Sequence, residues 1–342
     1  MPFLPDKALL TFITREEKSL APYAAKSRFA SRLRLEEGST LRSAYQEDLY
    51  RIVRSRSYRR LAHKTQALSA MRGDHRRTRL THTLEVSQIG RTLCRLFNLN
   101  EDLADAIAMG HDLGHTPFGH CGERMLNSLA QEGFSHQAQS LRVVDTLADG
   151  GKGLNLTLEC RDGILKHSKG LGPVLPKAKD LPISLEGLVV RISDIIAYLA
   201  HDMDDALEAG ILSQKDIPIK VLKIFGETPQ SRENAMVTDL LANSSPQDNT
   251  LKLAFSPLMD EHMEYLRAFL NEKVYRNKAI LEDMEKGAQV IKEIYLAIMD
   301  SSELYGKLPL SQLASSRSQA ACDFISGMTD RFAIDFLKEI NS

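Results

Sequence analysis

The chain has 342 residues, with 44 Lys and Arg against 45 Asp and Glu, a net charge of −1. That length suffices for one large domain or two modest ones, and the balance of charge excludes a polyelectrolyte. The four cysteines, Cys94, Cys121, Cys160 and Cys322, lie far apart and form no CxxC pair, which argues against a zinc ribbon or a disulfide framework and for a reducing compartment.

The N-terminal stretch "MPFLPDKALLTFITREEKSL" interrupts its apolar run with charges and lacks a small-residue cleavage site. No other segment approaches the length of a bilayer span, so the expected location is cytoplasmic, with no membrane partner. Residues 1–60 read as an N-terminal helical segment, and 41–66 carry helical spacing through Leu41, Tyr45, Leu49 and Ile52. Between Arg51 and Arg79 stand ten Lys or Arg residues and a single acid, Asp74. Such a block either faces phosphates or forms a solvated helix face. After His82, the positions Val86, Ile89, Leu93 and Leu96 predict a helix, as do Leu103, Ile107 and His111 over 101–112.

Strand signals are weak; a short hairpin is the most that 151–160 would hold. "SLEGLVVRISDIIAYLAHDMDDALEAG" predicts a long helix capped by Ser184, with Glu186 in its first turn and Gly210 at its end. Gly187 stands where a full capping box needs Glu or Gln. The stretches 169–184 and 243–250 read as loops, 257–300 as one or two helices, and the last 30 residues as one or two more. The expected fold class is all-α, with a helical core over 61–210 and a C-terminal helical region over 211–342.

Chemistry concentrates in "AIAMGHDLGHTPFGHCGE", residues 106–123. His111 and Asp112 close a helix there, with Gly114 and Pro117 just beyond. Adjacent helical residues point about 100° apart, so both reach one ion only from a helix terminus or a tight site. His82 lies on the apolar face of its own helix, where core packing is the competing explanation. Asp194 opens a stripe of Asp194, Tyr198 and Asp202 at four-residue spacing on a helix otherwise rich in apolar residues. Carboxylates in such surroundings need partners. Two histidines and two aspartates form a hard N/O donor set suited to Mg, Mn, Fe or Ni rather than to structural zinc.

The pattern H…HD…D, carried by His82, His111–Asp112 and Asp194, resembles the HD-domain phosphohydrolases. The longer strings "SYRRLAHKTQ", "GDHRRTRLTHTLEVSQIGR", "GHDLGHTPFGHCGE", "LNLTLECRDGILKHS" and "AYLAHDMDDALEAG" resemble the deoxyguanosinetriphosphate triphosphohydrolase-like family over residues 28–210. This resemblance implies that His82, His111, Asp112 and Asp194 hold a divalent metal. It also implies that His120 and Glu123 do acid–base work. His115 stands between proton transfer, phosphate contact and support of the ligands, and His136 lies near the phosphates. Arg79, one turn before His82, would stand beside a triphosphate. The match further implies that Tyr198 packs on a deoxyribose and that Asp202 and Gln66 meet its 3′-hydroxyl. Lys166 and His167 are candidates for which a helix-end role fits equally well. Family members usually carry a basic residue directly after the last metal-ligand aspartate; here Ile195 stands there, with Lys166 or Arg161 as potential replacements.

The expected function is metal-dependent hydrolysis of a deoxynucleoside triphosphate to deoxynucleoside and tripolyphosphate, by water attack on the α-phosphorus. The alternatives are another HD phosphohydrolase, acting on nucleoside monophosphates or alarmones, and a nucleic-acid-binding regulatory protein that uses the basic block. The resemblance implies a homo-oligomer, and single-stranded nucleic acid stays open as a further partner.

Overall fold

Short polar caps start the helices that frame the centre of the chain. The computed structural model describes residues 5–66, 77–168 and 180–342. Thr78 accepts from Thr81 N to start Arg79–Leu96, and Asn100 accepts from Asp102 N and Leu103 N to start Glu101–Gly110. Ser135, Thr157 and Ser184 do the same for His136–Arg142, Leu158–Lys166 and Leu185–Glu208. Each cap satisfies amide donors that a helix N-terminus otherwise leaves open. The fold is all-α. Among the described residues the one sheet is a two-stranded antiparallel ribbon, Ser245–Gln247 with Thr250–Lys252.

Leu185–Glu208 is the central helix, packing against Arg79–Leu96, Glu101–Gly110, Leu158–Lys166 and Pro229–Asn243. Val189, Val190, Ile192, Ile196, Leu199 and Met203 are fully buried along it. One apolar core runs from Ala24 to Ile280. A second joins Leu126 of the helix His120–Leu129 to Ile291, Ile294 and Ile298 of Lys278–Asp300, and to Ala321 and Ile325 of Arg317–Ser326. The loop after His111 bridges them, since Leu113 belongs to the first core and Phe118 packs on the second. No helix among the described residues is long and apolar enough to cross a membrane.

Three local expectations need correction. Residues 151–160 form no hairpin: a single bridge joins Arg32 to Thr157, and Leu158 already begins a helix. Buried Asp48 takes the Thr157 N–H at 3.0 Å, and Arg32 Nη1 takes the Asn155 carbonyl at 2.6 Å, so side chains satisfy the backbone groups a partner strand would use. The hairpin lies instead in the stretch 243–250 read as a loop, turning at Asp248 and Asn249, both in the left-handed region. The helix expected over 41–66 breaks into Ala44–Arg54, Arg56–Arg60 and a 3-10 turn at Leu61–His63. Ser55 is extended there and caps the second piece through Tyr58 N. Most of the 169–184 stretch, and Arg72, Asp74 and Arg76 of the basic block, lie outside the described residues.

The C-terminal helices are tied to the central loop by buried polar contacts. Asp330 accepts from Thr65 N at 3.0 Å, from the Thr65 hydroxyl and from Phe118 N at 2.9 Å. Lys64 is buried and donates to the carbonyls of His115 at 2.5 Å and Ser326 at 2.6 Å. Burial, with Arg60 and Arg79 nearby, brings its ammonium down to about 7. Asp330→Ala leaves these donors without their acceptor and should destabilise the chain by about 1–3 kcal/mol. Urea unfolding measures this; a change within about 0.5 kcal/mol, the range of ordinary surface substitutions, would mean the contacts are dispensable.

Candidate functional site

Glu101–Gly110 stops at Gly110, and His111, still helical in backbone, is its C-cap. The chain turns through 111–114 rather than continuing as helix, so His115 is not stacked one helical turn above His111. Gly114 makes the turn tight: a Cβ there would stand 2.2 Å from Ser140 N. Gly114 N donates to Ser140 Oγ at 2.9 Å, and Ser140 Oγ donates to the His111 carbonyl at 2.7 Å. Phe118 and Gly119 then adopt positive φ angles of 59° and 62°, and helix resumes at His120. Two helices and a tight loop thereby gather His111, Asp112, His115, His120 and Glu123 from one short segment, with His120 on the solvent side.

The first group is His82, His111 and Asp112, all buried, with one potential ligand atom each within 4.8 Å of one another. His111 Nδ1 donates to the Ala108 carbonyl at 2.6 Å, which leaves its Nε2 as a lone-pair donor. That Nε2 is buried, has no hydrogen-bond partner among the described residues, and lies 3.5 Å from Asp112 Oδ2. Asp194 Oδ1 stands 3.1 Å from His82 Nε2. Burial raises the carboxyls of Asp112 and Asp194, but neighbouring imidazoles, and Arg79 beside Asp112, hold both well below the usual range. A bare imidazole nitrogen beside ionised carboxylates in largely buried surroundings fits a divalent cation.

The second group is centred on Glu123. Its Oε2 lies 2.9 Å from His120 Nδ1, and its Oε1 accepts from His136 N at 2.8 Å and from His136 Nδ1 at 2.7 Å. His115 is fully buried, stacks on His136 at 4.5 Å, and approaches Glu123 Oε2 to 3.8 Å. Burial, Arg79 and His136 press His115 well below its ordinary value, so it is neutral at pH 7. The His120 side chain is 59% exposed, which makes it the member of this group open to solvent. Asp112 joins the two groups, with Oδ1 4.0 Å from His136 Nε2.

Arg79 is buried; its Nη1 binds Asp112 Oδ2 at 2.6 Å and its Nη2 binds the Gln66 carbonyl at 3.2 Å. Gln66 Oε1 is buried with no partner among the described residues. Tyr198 accepts from Arg267 Nε at 2.9 Å, and Asp202 accepts from the Tyr275 hydroxyl at 2.5 Å. Lys166 is engaged elsewhere: its Nζ holds Asp162 at 2.7 Å and the Leu181 carbonyl at 3.0 Å. Arg161 pairs with Asp145 at 2.6 Å. Neither head group is given to the histidine clusters. Cations beside the Asp194 stripe include Arg191, one turn before Asp194, Arg267 at Tyr198, and Arg77, which pairs with Asp205 and lies near Asp202. Arg51, Arg54, Arg56, Arg59 and Arg60 of the basic block line a cleft of about 1080 Å³ that contains none of the site histidines.

Sequence reasoning passed over three neighbours, His201, Arg267 and Tyr275, and left His167 between two roles. His201 Nε2 lies 2.9 Å from His82 Nδ1, and its Nδ1 lies 2.8 Å from Asp202 Oδ1. His167, a candidate for which a helix-end role fitted equally well, is buried against His111 and His136. Its position next to Lys166, inside a string matching the family, was the available signal. Arg267 and Tyr275 come from a segment with no local motif, so only the tertiary structure finds them.

An HD-domain family model matches residues 79–199, and a phosphohydrolase-associated domain matches 253–339. Proteins named deoxyguanosinetriphosphate triphosphohydrolase-like are similar over nearly the whole length. That of Desulfatibacillum aliphaticivorans is 42% identical over 96% of this chain and 96% of its own. That of Caldanaerobacter subterraneus subsp. tengcongensis is 46% identical over 95% and 93%, and that of Clostridium tetani 37% over 93% and 92%.

Holding buried histidines neutral makes the fold sensitive to acid. The His167 imidazole is pushed down to about 3 from 6.5 by burial and by His111 and His136, and His115 shifts the same way. The unfolded chain therefore takes up protons near pH 6.5 that the folded chain refuses until about pH 3 at His167. Stability is full above about pH 6.5 and falls as pH drops toward 3, by roughly 1 kcal/mol per group per pH unit. Urea unfolding of metal-free protein at pH 7.5 and 5.5 reads the difference, and His167→Gln should shrink it. Equal stability at both pH values would mean these imidazoles are not held neutral.

Proposed function

The chain belongs to the deoxyguanosinetriphosphate triphosphohydrolase-like family of HD-domain phosphohydrolases, and we propose that it hydrolyses deoxynucleoside triphosphates to deoxynucleoside and tripolyphosphate. One observation carries this reading: Asp112 lies between His82 and His111 on one side and the Glu123-anchored histidines on the other. A phosphate brought to that carboxylate would meet ligand atoms and proton-transfer groups together.

His82, His111, Asp112 and Asp194 are the residues that would hold a divalent cation, whose bound chemistry is Lewis acidity toward a phosphoryl oxygen and toward water. Glu123, ionised and in contact with His120 Nδ1, fixes that imidazole's tautomer and leaves its Nε2 to take a proton from the attacking water. Attack at the α-phosphorus breaks the P–O5′ bond, and the leaving 5′-oxygen needs a proton in return. His115 and His136, stacked behind His120, line the path the phosphates would take, and Arg79 contributes fixed positive charge beside Asp112.

The stripe on the central helix extends this reading to the sugar. Tyr198 and Asp202 lie about 6 and 12 Å along the axis from Asp194, comparable to the reach from an α-phosphate to the 3′ edge of a deoxyribose. A ring at Tyr198, steadied by Arg267, leaves little room for a 2′-hydroxyl. Asp202 and Gln66 Oε1, which has no partner among the described residues, supply acceptors for the 3′-hydroxyl.

Incubation with each dNTP and NTP in the presence of Mn²⁺ or Mg²⁺, with chromatographic analysis, tests the reading. Intact tripolyphosphate and deoxynucleoside are expected; orthophosphate from a monophosphate would point to another HD phosphohydrolase. Tyr198→Ala should raise activity on ribonucleotides relative to deoxynucleotides, and an unchanged ratio would remove Tyr198 from sugar selection. His120→Ala should keep its metal and melting temperature while losing about a hundredfold or more in rate. Loss of metal or of folding instead would make His120 structural.

A further inference from the structure

The ring of His115 is not held in the way its neighbours are. His82, His111, His120, His136 and His167 each have a ring nitrogen 2.6–2.9 Å from a hydrogen-bonding partner. His115 is fully buried, and neither its Nδ1 nor its Nε2 has a partner among the described residues. Buried polar atoms rarely stay unsatisfied in a folded chain, so both nitrogens are left for a ligand or a reacting group. That openness has a structural consequence. With no hydrogen bond from the ring, its place is set by the main chain and by stacking on His136 at 4.5 Å.

The main chain of His115 is gripped on both sides of the residue. Its N–H donates to the Asp112 carbonyl at 3.0 Å, inside the turn. Its carbonyl accepts from Lys64 Nζ at 2.5 Å. Lys64 is itself buried, and a second of its three donors goes to the Ser326 carbonyl at 2.6 Å. Ser326 ends the helix Arg317–Ser326, where the last carbonyls lack partners within the helix and carry partial negative charge. A buried ammonium is costly without such acceptors. Here the two acceptors belong to distant parts of the chain.

The same helix also grips the element that carries the stacking partner. Asp323, in its last turn, accepts from Gln139 Nε2 at 2.9 Å and from Arg142 Nε at 2.7 Å. Gln139 and Arg142 lie on His136–Arg142, the helix that His136 begins. Arg317–Ser326 therefore holds His136 through Asp323 and His115 through Lys64. Losing the Lys64 contact would release one ring of the stacked pair and leave the other in place.

We propose that Lys64 is a positioning residue for the reaction: by tying the His115 carbonyl to Ser326, it sets the unanchored His115 ring against His136 and Glu123. Lys64 touches no reacting atom itself. An apolar side chain of similar length would fill the space without joining the two carbonyls. The inference rests on the proposed function for the reaction that His115 serves, and on the contacts alone for what places the ring.

Lys64→Met removes the donors and keeps most of the side chain. Hydrolysis of dNTP with Mn²⁺ is measured for the wild type, Lys64→Met, His115→Ala and the double variant, with the melting temperature of each. Lys64→Met should lower kcat by about ten- to a hundredfold, the scale of a group displaced by about 1 Å, with KM within about threefold. Added to His115→Ala, it should cost less than about twofold, because the ring it positions is gone. An equal loss in both backgrounds would overturn the proposal and make Lys64 a general stabiliser. Histidine-selective ¹⁵N labelling reads the ring without turnover. The His115 ring signals, identified by their loss in His115→Ala, should move in Lys64→Met while those of His262 stay. Unmoved His115 signals would likewise overturn the proposal. Should Lys64→Met not fold, Lys64→Gln, which keeps a donor amide on a shorter stem, takes its place in both measurements. No hydrolysis by the wild-type chain would sink the proposed function, and the ring signals would still decide whether Lys64 places His115.

Discussion

A carboxylate buried among imidazoles is the constraint on which the rest of this structure depends. Asp112 is 3% exposed, and an ionised carboxylate out of water is costly unless its charge is answered on several sides. Arg79 answers directly, at 2.6 Å, from the first turn of one helix, while His111 at the end of another and His136 at the start of a third stand 3.5 and 4.0 Å away. These neighbours belong to different elements, so this one carboxylate marks where three helices converge. Arg79 is itself almost wholly buried, and an arginine in that position without Asp112 would be as costly as the aspartate without Arg79. The Arg79–Asp112 pair is therefore fixed by mutual electrostatic need before any ligand arrives.

Backbone geometry supplies what the charges require. Ending a helix at Gly110 lets the adjacent side chains of His111 and Asp112 point into one space, which a continuing helix would prevent. Close approach at Gly114 and the left-handed pair Phe118–Gly119 then return the chain so that His120 and Glu123 face the same region. Polar contacts to the C-terminal helices hold this loop: Asp330 takes the Phe118 amide and Lys64 spans the carbonyls of His115 and Ser326. The second apolar core, built partly on the helix that starts at His120, continues the same attachment.

Much of this was legible in the sequence because it is local. Helical periodicity and the Ser184 cap located the central helix, and the histidine-rich segment with His82, Asp194 and His136 identified residues that the structure draws into one neighbourhood. What periodicity could not read was partnership across the chain. Residues 151–160 look like a hairpin until Asp48 and Arg32, more than a hundred residues away, take their backbone groups. Lys166 and His167 are adjacent and both polar, yet one turns to Asp162 and the Leu181 carbonyl while the other is buried on His111. Adjacent side chains on a helix point apart, and nothing in their spacing says which one faces inward.

His201 shows how the same limit conceals a contact inside the candidate site. It sits beside Asp202 in the sequence, and in the fold it reaches back to His82. If His82 presents Nε2 to Asp194 and to an ion, its Nδ1–H must donate to His201 Nε2, and His201 then carries its own proton on Nδ1, facing Asp202 Oδ1 at 2.8 Å. The short approach of His201 Nδ1 to Asp202 Oδ1 is not a hydrogen bond, however: neither atom has a hydrogen-bond partner among the described residues. The chain of contacts from Asp194 through His82 therefore ends at His201, and Asp202 is held instead by Tyr275 from the C-terminal half. The buried face of the central helix thus carries two separate polar anchorages, one to the helix that bears His82 and one to the C-terminal half.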